Sequence, residues 1–188
     1  MKNIKNLKIT TLEGFSVKDL ERFPSMEWGE DGGLRAKLLY NGKEVMEVFN
    51  QGDGGMAINY WTQYGKSIQN EVLEKALQFL QRVDEDYQQG SEYYHLAAKT
   101  PSEISEDDFE TIVILIEEQY DKMKEVQKSF KKGYKTIAIL SNDYQTSYLQ
   151  YWVSDITEQE VKQWLVKNNH KEYTKIELVH SQEQLMTM

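Results

Sequence analysis

The chain has 188 residues, 39% of them hydrophobic and 12% aromatic, and a formal charge of −9. That length and apolar content suit one domain or two small ones and exclude a wholly disordered chain. There is no cysteine, which excludes a disulfide framework, a thiolate metal site and a thiol nucleophile.

In chain order, the lysine-rich start Met1 to Lys8 is not followed by an apolar segment of signal-peptide length, and no run approaches a membrane span. The expectation is a cytoplasmic protein with no membrane contact. Lys5 to Thr11 reads as a first strand, and Phe15 to Phe23 as a loop or one helical turn closed by Pro24. Glu27, Glu30 and Asp31, around Trp28 and before Gly32-Gly33, are carboxylates that form either a solvated acidic turn or a divalent-ion loop.

Leu34 to Gly55 is the organising stretch: two alternating runs flank Asn41-Gly42, the strongest short hairpin signal, because a type I′ turn needs positive φ at both central positions. A turn centred there sets Tyr40 opposite Lys43, Leu38 opposite Val45, Ala36 opposite Glu47 and Leu34 opposite Phe49. One face of the ribbon is then apolar apart from Glu47, so either a bulge shifts the register beyond it or a carboxylate sits at the core edge. The run Gly52-Asp53-Gly54-Gly55 follows, and Met56 to Trp61 alternates as a third strand. No phosphate-loop lysine follows the glycines, and a strand rather than a helix comes next, so no nucleotide fingerprint and no cofactor is expected. Asp53 reads as a turn residue, with cation binding or a base role as its functional alternative.

Ser67 to Tyr87 has helical spacing, with Ile68, Val72, Ala76, Leu80, Val83 and Tyr87 on one stripe. A polar connection over 91–105 follows. The longest helix starts at Ser105, with Asp108 in capping-box position, carries Phe109, Ile112, Ile116, Tyr120, Met123 and Phe130 inward, and ends at Lys131-Lys132-Gly133. Thr136 to Leu140 and Tyr148 to Val153 form a second hairpin around Ser141-Asn142-Asp143. Thr157 and Glu160 cap a helix that turns Val161, Trp164 and Leu165 inward, and Thr174 to Val179 is the last strand. The fold class is α+β, with two small antiparallel sheets or hairpin units packed with about three helices. The expected division is 1–90, a hairpin-plus-helix unit, and 91–188, a long helix followed by a β-β-α-β unit.

Charge is unevenly spread. Residues 84–121 hold twelve acidic side chains against Lys99 alone, a net charge of −11, while the flanking segments are close to balanced. Asp84, Asp86, Glu92, Glu103, Glu106, Asp107, Asp108 and Glu110 are candidates for presenting carboxylates to a basic partner, in imitation of nucleic-acid phosphates. The competing account is helix stability, since acidic residues in a first turn favour the positive end of the dipole. Only Arg22, Arg35 and Arg82 are arginine, so forked contacts to phosphate or guanine are scarce and direct duplex DNA binding is not expected. His95, His170 and His180 lack metal-ligand spacing.

The pattern Leu39-Tyr40-Asn41-Gly42-Lys43, then Val48-Phe49-Asn50-Gln51-Gly52-Asp53-Gly54-Gly55, resembles a hairpin of small proteins carried by phages and plasmids of Gram-positive bacteria, some of which are type II anti-CRISPR proteins. The resemblance implies an inhibitor of a basic, nucleic-acid-handling host protein, the RNA-guided CRISPR nuclease or its guide RNA complex. It carries over no catalytic residue. The alternative is a small metal-dependent hydrolase or nuclease factor using Asp53 with Glu27, Glu30 or Asp31.

Overall fold

The computed structural model describes residues 3–7, 10–24, 32–52, 56–83, 100–141, 147–170 and 172–181. The fold is α+β, and the chain divides into two compact units, Met1–Tyr120 and Asp121–Met188.

In the first unit, β1 (Asn3–Asn6), β2 (Phe15–Arg22), β3 (Leu34–Tyr40), β4 (Lys43–Asn50) and β5 (Ile58–Trp61) form an antiparallel sheet in sequence order. Asn41 and Gly42 both have positive φ, 49° and 76°, the signature of the expected type I′ turn. The register runs Tyr40 to Lys43 and Leu39 to Glu44, then jumps so that Leu38 pairs with Met46 and Lys37 with Glu47. A bulge is thus present, but it lies at Val45, before Glu47 and not beyond it. Val45 and Met46 are both buried, and Glu47 turns to the open side, where Arg35 Nε donates to its carboxylate at 2.8 Å.

Phe15 to Phe23 is corrected from loop to strand. A second bulge between Lys18 and Glu21, with Asp19 at φ 52°, breaks the alternation. Phe15, Val17 and Leu20 therefore all face the core, a spacing that matches neither a plain strand nor a helix.

After β5 come α1 (Gln63–Ser67) and α2 (Gln69–Val83), then a 3₁₀ turn (Pro101–Glu103) and α3 (Glu106–Lys131). The expected helix from Ser67 is α2, which begins at Gln69 after a separate short helix, and its expected end at Tyr87 lies outside the described residues; Thr62 caps α1, its hydroxyl accepting from Gly65 N at 2.9 Å. Val72, Ala76, Phe79 and Leu80 of α2, with Phe109, Ile112, Val113 and Ile116 of α3, bury against one face of the sheet. Because this first part of α3 belongs to that core, the compact units part at Tyr120 and Asp121, inside the helix, rather than in the polar connection at 90–91.

Beside the core, Arg82 grips Glu13 through both guanidinium branches, at 2.7 and 2.8 Å. Burial raises the Glu13 pKa, but the Arg82 hydrogen bond, backbone bonding and the guanidinium charge outweigh it, and the carboxyl sits below its ordinary value. A depressed folded pKa gives stability that is complete above the unfolded value of about 4.3 and is lost as pH falls through the folded value. Glu13→Gln is therefore expected to flatten part of the acid limb of a melting-temperature profile; two parallel profiles would remove the pair from the acid dependence.

In the second unit, the end of α3 is followed by β6 (Thr136–Ser141), β7 (Ser147–Trp152), α4 (Glu158–Lys167) and β8 (Lys175–Val179). The sheet order is β7-β6-β8, all antiparallel. Period-two alternation splits β6: Ile137 joins Val126 and Val179 on the α3 side, while Ala138 and Leu140 join Val161 and Leu165 of α4. The Thr157–Glu160 capping box forms as expected. Among the described residues no helix is long and apolar enough to cross a membrane.

Candidate functional site

The two stretches singled out in the sequence, the connection after β4 and the acidic start of α3, meet in the first unit. Ser105 and Asp108 make the expected capping box: Ser105 N donates to Asp108 Oδ2 at 2.7 Å, and Asp108 N to Ser105 Oγ at 3.3 Å. This fixes the first helical turn and buries Asp108. The turn then holds both ends of the connection. Asn50 Nδ2 donates to Glu110 Oε2 at 2.7 Å while its Oδ1 accepts from Gly52 N; Ala57 N donates to Asp107 Oδ1 at 2.8 Å. Asn59 Nδ2 reaches the Glu106 carbonyl at 3.2 Å, and Asn59 Oδ1 is buried without a hydrogen-bond partner.

Of the carboxylates proposed to meet a partner, Glu103, Glu106 and Asp107 are exposed, Glu110 is half-buried and Asp108 is buried. Glu103 accepts from Thr100 N at 3.0 Å, capping the 3₁₀ turn. Glu103, Asp107, Asp108 and Glu110 thus each serve local structure as well as charge. Further along α3, Glu117 is turned inward to Arg22, whose Nε donates to it at 2.9 Å, whereas Glu118 is exposed. Asp84, Asp86 and Glu92 lie outside the described residues, as do Asp53, Glu27, Glu30, Asp31 and His95.

No group of three or more histidines and carboxylates is placed to hold a metal among the described residues. His170 sits 3.1 Å from Glu172 in a stack with Trp164 and Tyr148, and His180 Nδ1 lies 3.2 Å from the Thr136 hydroxyl.

Sequence spacing missed the clamps from α3 to Asn50 and Ala57, because they join residues 50 to 60 positions apart; an asparagine two places before Gly52 was the one local hint. Compared with known protein families, curated proteins and solved structures, the chain has no match.

Proposed function

We propose that the protein is an inhibitor from a mobile genetic element that binds a basic, nucleic-acid-handling host protein, the type II CRISPR nuclease or its guide complex. The observation that carries this reading is the exposure of Glu103, Glu106, Asp107 and Glu118 on and just before α3, within the segment of net charge −11. Their internal hydrogen bonds do not cancel that charge. A carboxylate has about four acceptor positions, so an exposed Asp107 that receives one backbone N–H still presents a negative oxygen to a lysine or arginine. Such a surface accelerates encounter with a basic groove and selects against acidic partners.

The test replaces Glu103, Glu106 and Glu118 together by Gln, which keeps volume and hydrogen-bonding capacity. Binding of a purified type II nuclease, with and without guide RNA, is followed across salt concentrations. Association is expected to slow by roughly tenfold at low salt and to lose part of its salt dependence. Absence of binding by the unsubstituted protein, or an unchanged rate and salt slope in the triple variant, would sink the reading.

A further inference from the structure

The second unit has a feature of opposite charge. Lys124, Lys128 and Lys131 follow one another at helical spacing on α3, Lys132 comes next, and all four are exposed. With Tyr134 and Tyr151 they line an open groove of ≈ 610 Å³, within the range of about 300–1,000 Å³ usual for ligand sites. Among the described residues Glu125 is the single acidic side chain on its wall, and it is already engaged, accepting from Tyr151 Oη at 2.7 Å. Lys128, Lys131 and Lys132 have no carboxylate within ion-pair distance among the described residues.

Favourable placement at a helix C-terminus accounts for lysines in the last turn. It does not account for an aromatic wall. The rings of Tyr134 and Tyr151 lie 5.3 Å apart at 42°. Burial first, then the Glu125 hydrogen bond and charge, push the Tyr151 phenol up to about 12, and the bond to Glu125 holds that ring in place.

We propose that this groove binds single-stranded nucleic acid, the lysines neutralising successive phosphates and Tyr134 and Tyr151 offering surfaces on which unpaired bases stack. Lysine-lined grooves with aromatic walls bind single strands without reading sequence. A duplex keeps its bases inside the stack and cannot use the tyrosines, and an acidic peptide has no need of them. The inference rests on the second unit alone and is independent of the carboxylates of the first.

The experiment measures anisotropy of a labelled oligothymidylate with the full chain over a salt series, beside a duplex of equal length and polyglutamate. Single-strand binding is expected, with Lys128→Gln, Lys131→Gln and Lys132→Gln together lowering the log–log salt slope by about 2. Tyr134→Leu is expected to weaken binding roughly 5- to 150-fold, while Tyr134→Phe retains it. Circular dichroism confirms that each variant is folded. The Glu103, Glu106 and Glu118 variant should bind the oligonucleotide at least as well as the parent protein, which separates this site from the proposed inhibitor surface. No binding by the parent protein, an unchanged slope in the lysine variant, or equal affinity for the duplex or polyglutamate would overturn the proposal.

Discussion

Phe15→Ala is expected to lower the stability of the first unit by about 3–5 kcal/mol, the range for a fully buried phenylalanine whose cavity cannot collapse. The ring has no solvent exposure and lies 5.5 Å from Tyr40 and 6.3 Å from Phe79, so it joins the hairpin to α2. Against a typical total of about 5–15 kcal/mol, that loss leaves little margin. Urea unfolding should show a lower midpoint with an unchanged slope. A shift equivalent to less than about 1 kcal/mol, the level of an average substitution, would mean that β2 is not part of the core and that Phe15 to Phe23 is a loop after all.

Gly65→Ala is the second large effect, and its sign is the informative part. In an open helix the change stabilises by about 1 kcal/mol. Here a Cβ on Gly65 would overlap the backbone of Val45, at the bulge where the Val45 carbonyl accepts from Thr62 N at 3.0 Å. Neither side is a flexible side chain that can swing away. The expected result is destabilisation by about 1–3 kcal/mol, as for overpacking elsewhere. A stabilised variant would show that α1 stands off from the sheet.

How much of this was legible in the residues depended on the range of the interaction that decides each feature. The Asn41-Gly42 turn, the stripes of α2 and α3, the Thr157–Glu160 and Ser105–Asp108 boxes and the pairing of the second hairpin are written in short-range pattern, and all are present among the described residues, with Tyr87, Asn142 and Asp143 outside them. Strand β2 was misread because Asp19 adds a residue to the strand, and an inserted residue destroys the period that a reader counts. The clamps of Glu110 on Asn50 and Asp107 on Ala57 had no local signal beyond an asparagine close to a glycine run. The inward turn of Glu117 to Arg22, a pair 95 positions apart, had none. The acidic segment was visible as charge. How that charge is shared between capping, clamping and exposure became visible only in three dimensions.

The bulge at Val45 gives β4 something like a reading frame. On the turn side, Lys43 and Glu44 are counted from Asn41-Gly42; on the far side, Met46, Val48 and Asn50 are counted one place later. Because a side chain changes face with every step along a strand, one residue gained between Lys43 and Met46 is felt as a change of side by everything downstream, with Glu47 carried inward opposite Ala36 and Val48 outward, whereas loss of Val45 takes out the bulge and leaves Met46 opposite Leu38. Exchanging Glu44 or Glu47 for another polar residue leaves that frame alone. This strand should therefore accommodate changes of letter at its open positions but no added residue, with the Thr62 bond to the Val45 carbonyl marking the place from which the count restarts.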